Sequence, residues 1–360
     1  MSLMLRPSTL MAVPLMVAVF GAPFACANGQ APTGLPVMEK MYVVGCADCT
    51  GPQSFSVIRS IGLDAQHRVL VADADEPKVR IFEADGTVRT AFGRSGRGPG
   101  ELMSPLHVSA RSDGRIQVLD GSTRLLSIFE ADGEFMESLL VRGFLTGAGF
   151  NPAAGVLYLL TTSMVSSRVQ RWDMRDSSLT TVFPALGDFP PTEPGHPLFV
   201  HPAVAPDGSF ALGDGATEYR IRVFAADGSP SRDITRTLEP ERKSEREIEE
   251  ERRMAERRRG RMGADVRLVG PQPDPDPFRP FFHRRDALTY DDAGRLWVRT
   301  TRGRDGMTVF DLFDRTGTFL GEVRIDAAVG MFTVRAGFLA GVTVGELDIP
   351  TVTVWRFGQP

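Results

Sequence analysis

Short segments in which apolar and polar residues alternate recur along the chain: residues 68–73 (RVLVAD), 115–120 (RIQVLD), 209–214 (SFALGD) and 295–300 (RLWVRT). A period of two is that of a β-strand. Several follow a glycine turn (SDG, PDG), and a shorter apolar strand precedes that turn (HVSA, PAVA, DALTY). Downstream lies a third strand that ends in an aromatic residue and a turn: IFEADG at 81–86 and again at 128–133, VFAADG at 223–228, LFDRTG at 312–317, with looser copies RWDMRD at 171–176 and VWRF at 354–357. A fourth strand follows, as in TVRTAF (87–92) and FMESLLV (135–141). The aromatic anchors Phe82, Phe129, Trp172, Phe224, Phe313 and Trp355 recur about every 45 residues, apart from one double interval between Phe224 and Phe313. Four antiparallel strands per repeat predict a β-propeller blade.

The double interval holds no strand pattern. It contains SEREIEEERRMAERRRGRM (244–262) and a proline-rich tail, PQPDPDPFRP. The expected fold is therefore all-β, a six-bladed propeller of four-stranded antiparallel blades, with one charged helix inserted at 237–280 between blades 4 and 5. Ser244 and Glu247 form a capping box that opens the helix, which is expected to run to about Arg259 and stop at Gly260. Acids crowd its first half and arginines its second, matching the helix dipole. Ile248, Ala255 and Met262 make only a thin apolar stripe, so the helix reads as a solvated excursion, with light docking on the propeller or on a partner as the alternative and Arg257–Arg259 available to an anionic surface; the helix is also the expected partner-specific element. The last blade, 331–357, has room for three strands, and residues 36–44 (PVMEKMYVV) are expected to supply the fourth, closing the ring and leaving few exposed edges.

Composition narrows the setting. The 360 residues include 37 glycines and 26 prolines, which suits short strands and turns, and a net charge of −4 argues against broad electrostatic binding of nucleic acid. Residues 1–27 read as an export signal: one charge (Arg6), an apolar run too short to span a bilayer, and Ala25-Cys26-Ala27 as cleavage site. Cys26 leaves a lipid anchor as the alternative. Residues 28–360 would then form the propeller, outside the cytoplasm, without a transmembrane segment and as a monomer. Cys46 and Cys49 in GCADCTG are the two remaining cysteines, and in an oxidising compartment they are expected to form a local disulfide.

The glycine-rich stretch AFGRSGRGPGELMSP (91–105) has the look of a phosphate cradle. A cradle of that kind needs a following helix to orient its N–H groups, and Pro105 and a strand follow instead. The order of this segment, a strand, a DG turn, a V-x-D strand and R-x-x-x-I-F-x-x-D-G resembles an NHL-type repeat, in which the glycine segment links blades. The resemblance is strongest over 55–133 and extends to 200–236 and 284–357. The chain is similar to exported six-bladed propeller proteins of bacteria, grouped with NHL and TolB-like propellers. That resemblance implies an architecture and names no reaction.

Candidate chemistry is sparse. Asp73, Asp120 and Asp214 recur at strand ends, each ahead of a cation (Lys78, Arg124, Arg220), which reads as bracing within blades. Aligning the blades on their DG turns places His107 and His201 at the entry of two innermost strands, near the channel mouth, with His283, Arg285 and Asp286 at the equivalent height in blade 5. His107, His201, Arg285 and Asp286 are the expected ligand-binding residues. His107, His201 and His283 are the candidate ligands for a divalent metal. The resemblance to peptidyl-amidoglycolate lyases, which hold a metal in a propeller channel, implies the same place. The calcium site of lactone-hydrolysing propellers finds little here, since Asn151 is the one asparagine after Asn28. The leading expectation is a non-enzymatic scaffold, with no cofactor, that binds a protein, peptide or small ligand on one face. The alternative is a metal-dependent lyase or hydrolase at the channel mouth.

Overall fold

A computed structural model of the chain describes residues 37–46, 49, 51–141, 144–162, 167–173, 178–183, 202–213, 218–261, 276–282, 286–345 and 349–358. The first strand is β1 (Met38–Val44). Blade 1 follows as β2 (Ile58–Leu63), β3 (Val69–Asp73), β4 (Lys78–Phe82) and β5 (Val88–Phe92). Blade 2 is β6 (Pro105–Ala110), β7 (Ile116–Asp120), β8 (Leu125–Phe129) and β9 (Phe135–Leu140). Blade 3 is β10 (Phe144–Asn151), β11 (Val156–Thr162), β12 (Ser167–Asp173) and β13 (Ser178–Phe183). Blade 4 is β14 (Ala203–Val204), β15 (Phe210–Gly213), β16 (Arg220–Phe224) and β17 (Pro230–Thr235). The helix α1 (Glu245–Arg261) precedes blade 5, which is β18 (Leu288–Tyr290), β19 (Leu296–Arg299), β20 (Thr308–Phe313) and β21 (Phe319–Ile325). Blade 6 is β22 (Phe332–Arg335), β23 (Phe338–Val344) and β24 (Pro350–Phe357), completed by β1 in the order β22-β23-β24-β1. Met38 pairs with Phe357 and Val44 with Val352, so the expected closure by the N-terminal strand is present.

Each blade is a four-stranded antiparallel sheet, and one apolar cluster lies between every neighbouring pair of blades. Strand β3 shows how period two builds this ring. All five of its residues are buried, yet Val69 and Val71 join the cluster facing blade 6 while Leu70 and Ala72 join the one facing blade 2. The six aromatic anchors are each 5% exposed or less, all in the third strands, and fill these seams. Phe92 and Phe129 pack at 4.6 Å across the seam between blades 1 and 2, and Trp297 meets Phe357 at 5.1 Å across that between blades 5 and 6.

The recurring DG turns have a local cause. In the IFEADG turn, the Asp85 carboxylate accepts the N–H and hydroxyl of Thr87, and Gly86 takes a φ of 85° that a side chain would resist. Asp227 with Ser229 and Asp314 with Thr316 repeat the arrangement.

The strand-end acids do brace, with partners other than those expected. Asp73 pairs with Arg80 at 2.9 Å, both groups almost wholly buried, while Lys78 reaches only Glu76 at the surface. Arg80 and Lys78 share one side of β4, but Arg80 lies deep in the seam over Phe55, whereas Lys78 sits at the solvent end of the strand. Asp120 accepts four backbone N–H groups, from Met103, Ser104, Ser122 and Thr123, which ties the glycine connector to blade 2. Arg220 pairs with Asp233 and Glu218, and Asp214 lies outside the described residues. The Cys46–Cys49 disulfide is present, with Cα atoms 5.2 Å apart, in the loop between β1 and β2.

Removing Arg80 leaves the Asp73 charge buried and unpaired. Arg80→Met is expected to lower the unfolding free energy by about 3–5 kcal/mol, with partial recovery when Asp73→Asn is added. Lys78→Met should stay within about 0.5 kcal/mol. Urea denaturation of the three variants checks the order.

Candidate functional site

Because the strands of each blade run up and down in sequence, the ring has two distinct faces. One carries the first-to-second and third-to-fourth strand turns, the DG turns among them. The other carries the second-to-third loops and the connections between blades. The acids of the turn face are largely occupied by their own turns; the Thr87 hydroxyl and N–H hold the Asp85 carboxyl below its usual range.

Toward the turn face the ends of the innermost strands enclose a space of about 70 Å³, lined by His107, Ser109, Asn151, Asp292, Thr333 and Arg335 among others. That is room for a few waters. Arg335 reaches from blade 6 across this end and donates to the carbonyls of Leu63 in blade 1 and Ala110 in blade 2, at 3.0 and 3.1 Å. Burial lowers its pKa, against the fields of Asp292 and Asp64. Arg335 thus staples three blades.

The connector face holds a larger feature. A groove of about 710 Å³ runs between the root of the insertion and the loops of blades 5 and 6. One wall is charged and comes from the insertion: Lys243, Glu247, Glu251 and Arg279. The other is the loop from Thr300 to Thr308, and the floor is Arg299, Ala328, Val329, Gly330, Val342 and Val344. Val344 and Met307 expose 61% and 39% of their surface there.

The wall stands because the insertion is pinned to the ring. Backbone bonds join Lys243 N–H to the Pro277 carbonyl (2.8 Å) and Arg279 N–H to that of Glu241 (2.7 Å), clasping the two ends of the insertion together. Arg279 then bridges Glu247 at 2.7 Å and Glu241 at 3.0 Å, and Arg304 of blade 5 also contacts Glu241. Lys243 pairs with Glu251 at 2.8 Å. Beneath this, Arg236 and Arg302 converge on Asp311, which is fully buried between blades 4 and 5. The capping box forms as expected, with Ser244 N–H donating to Glu247 at 2.8 Å. The described part of α1 is largely exposed, as a solvated excursion would be, and its base is held by the pair of Glu247 with Arg279. The expected stop at Gly260 is corrected: the helix runs through it to Arg261, since one glycine costs a helix only about 1 kcal/mol.

The floor is braced from below. The Thr308 hydroxyl donates to the Ala327 carbonyl at 2.7 Å and accepts the Val329 N–H at 2.8 Å, while Gly330 N–H donates to Val342. Arg299 ends β19 and donates to the Val329 carbonyl at 3.1 Å. Burial pushes its guanidinium down to about 10, and the field of Asp286 offsets this only in part.

Of the candidate residues named from sequence, His107 lines the narrow channel space, on the innermost strand β6. Asp286 stands two residues before β18, with a φ of 50°, and its charge acts on Arg299. His201, His283 and Arg285 lie outside the described residues. Among the described residues no group of three or more His, Cys, Asp or Glu is placed to hold a metal. The groove itself escaped sequence reasoning. Its signals were the insertion and the basic, glycine-containing loop TTRGRDGMT (300–308), neither of which carries a ligand motif.

The glycine connector also finds its explanation. The Glu101 carboxylate fills the concave backbone, accepting Gly98 N–H at 2.7 Å and pairing with Arg94. A Cβ on Gly96 would lie 1.9 Å from that carboxylate. The cradle is occupied by the chain's own anion.

Comparison with protein-family models and with curated proteins gives no match. Solved structures share the architecture. A gluconolactonase from Xanthomonas campestris is 14% identical, covering 91% of each chain with a TM-score of 0.50. A member of the DUF4221 family from Bacteroides vulgatus is 9% identical over 90% of this chain and 98% of that one, also with a TM-score of 0.50. A catalytically inactive virginiamycin B lyase from Staphylococcus aureus, crystallised with quinupristin, is 11% identical over 88% and 98%, with a TM-score of 0.47. Identities this low show the fold alone.

The Arg279 guanidinium, followed by the Ser244 N–H, lowers the Glu247 carboxyl to about 2. A depressed carboxylate stabilises docking fully above its unfolded value and loses that contribution as pH falls through the folded one. The docked base of α1 should therefore hold at neutral pH and loosen between about pH 4.5 and 2. Hydrogen exchange at residues 244–251 reads the loosening. In Arg279→Met, the Glu247 midpoint followed by NMR should rise toward the ordinary glutamate value.

Proposed function

We propose that this chain is an extracytoplasmic, non-enzymatic propeller that binds a protein segment, peptide or small molecule in the groove on its connector face. One observation carries the reading: the groove offers about 710 Å³ where the channel space offers about 70 Å³, and ligand sites occupy clefts of roughly 300–1,000 Å³. Its ionic side chains support the same reading. Lys243, Arg279 and Arg304 are engaged with Glu241, Glu247 and Glu251, an arrangement that shapes a wall rather than one poised to move protons. The disulfide fits an oxidising compartment.

The second reading, a metal-dependent lyase or hydrolase in the channel, keeps one supporting observation, the position of His107 against the channel space. Ligand-observed NMR with a fragment mixture separates the two. Hits are expected to disappear in Val344→Trp, which fills the groove from an exposed position, and to persist in His107→Ala. The opposite pattern moves the site into the channel. Elemental analysis of the same proteins is expected to find well under one metal per chain. One equivalent of zinc, lost in His107→Ala, would replace the binding reading with the enzymatic one.

A further inference from the structure

The floor of the groove contains an open position in a β-ladder. In blade 6 the innermost strand β22 has four residues and its neighbour β23 has seven, so β23 outruns its partner toward the connector face. The register that pairs Phe332 with Gly341, if continued, would bring Val329 opposite Val344. Val329 is diverted to blade 5 instead. Its N–H donates to the Thr308 hydroxyl at 2.8 Å, and its carbonyl accepts from Arg299 at 3.1 Å. The ladder therefore stops at Val342, whose N–H donates to the Met331 carbonyl and whose own carbonyl accepts the Gly330 N–H.

On the other side of β23, Gly345 N–H donates to the Ile349 carbonyl at 2.8 Å. Antiparallel pairs alternate between bonded and non-bonded, so the next pair, Val344 with Pro350, is non-bonded, and proline has no N–H to offer. Both backbone groups of Val344 thus turn away from β24 and meet no partner among the described residues. They turn toward the groove, where Val344 is 61% exposed. We propose that the groove binds an extended peptide, which pairs its backbone with Val344 as a short added strand beside β23 and lays an apolar side chain against Val329, Val342 and Met307. The inference rests on the groove being the binding site.

A strand added at an open edge is held by main-chain bonds, and its side chains set the preference. An apolar small molecule would cover the same floor and leave the Val344 donor and acceptor shielded from water without partners, which is costly. A peptide unit matches both at once. The floor is already ordered by the bonds of Thr308 and Gly330, so little ordering accompanies binding.

The test titrates capped pentapeptides, Ac-Ser-Thr-Xaa-Thr-Ser-NH2 with Xaa as Ala, Val, Leu or Phe, into the full protein and follows them by NMR. The apolar members are expected to bind, and the Val344 amide should exchange at least tenfold more slowly at saturation. Val344→Pro removes that N–H without breaking a bond of the blade, and Thr343 before it is already in a strand, as a residue preceding proline prefers. It should weaken the best peptide at least tenfold, whereas Val344→Ala, which keeps the N–H, should weaken it less than threefold. Should Val344→Pro fail to fold, a single N-methyl group moved along the peptide supplies the same test on the wild type. One position should lose at least tenfold and the two beside it less than twofold. Equal loss in the proline and alanine variants, or an even response along the N-methyl series, would overturn the added strand and leave the groove standing. Peptide binding that survives Val344→Trp would remove the groove itself. No peptide binding, in a protein whose groove still takes fragments, would overturn the peptide class alone.

Discussion

Everything in this ring depends on middle strands such as β3 and β7 being buried on both faces. A strand has two sides, and here each side serves a different neighbour. Residues of one parity in β3 pack toward blade 6 and those of the other toward blade 2. A shift of one residue in register would exchange the two sets and spoil both seams at once. That demand fixes the lengths of the middle strands, the aromatic residue at the end of each third strand and the tight Asp-Gly turns, because slack in any of them would let the register move. Arg80 enters the seam matched by Asp73 and Glu76.

Burial on both sides also explains what the chain disclosed before its structure. Period two, the aromatic anchors and the DG turns are local signals, the anchors present in all six repeats and the others in most, so blade number, blade boundaries and the closing strand were legible. The inserted helix was legible too, since Ser244 and Glu247 lie three residues apart. The partners of charged residues were not. Asp73 chooses Arg80 over Lys78, although both lie on the same side of β4, because Arg80 is buried beside it while Lys78 stays at the exposed end of the strand, which spacing alone does not reveal. The groove lay hidden for a larger reason. Lys243, Arg279, Arg299 and Val344 come from separate stretches of the insertion and of blades 5 and 6, and only the packing of these side by side sets them around one space. Of the candidate site residues, Asp286 was named for its height on blade 5, and its charge falls on Arg299, a residue no motif marked.

The insertion and the ring stand in a division of labour. Individual ion pairs at an exposed surface contribute little, about 0–1 kcal/mol each. Those at the base of α1 gain from sharing partners, as Arg279 shares Glu247 with the helix cap and Glu241 with Arg304. The paired backbone bonds that clasp residues 241–243 to 277–279 hold the geometry, and the buried Arg236–Asp311 contact holds the root. The ring contributes rigidity and an apolar floor; the insertion contributes height and charge.

The closing strand has a consequence for how the molecule comes into being. β1 has a single ladder partner, β24, and Met38 meets Phe357. β1, made before the six blades it helps to close, must therefore remain without its ladder partner until β24 has been made. The circle is completed in one late, long-range event, whose loop-closure entropy spans nearly the whole chain. A ribosome stalled anywhere before β24 leaves every finished blade in place and the ring still open.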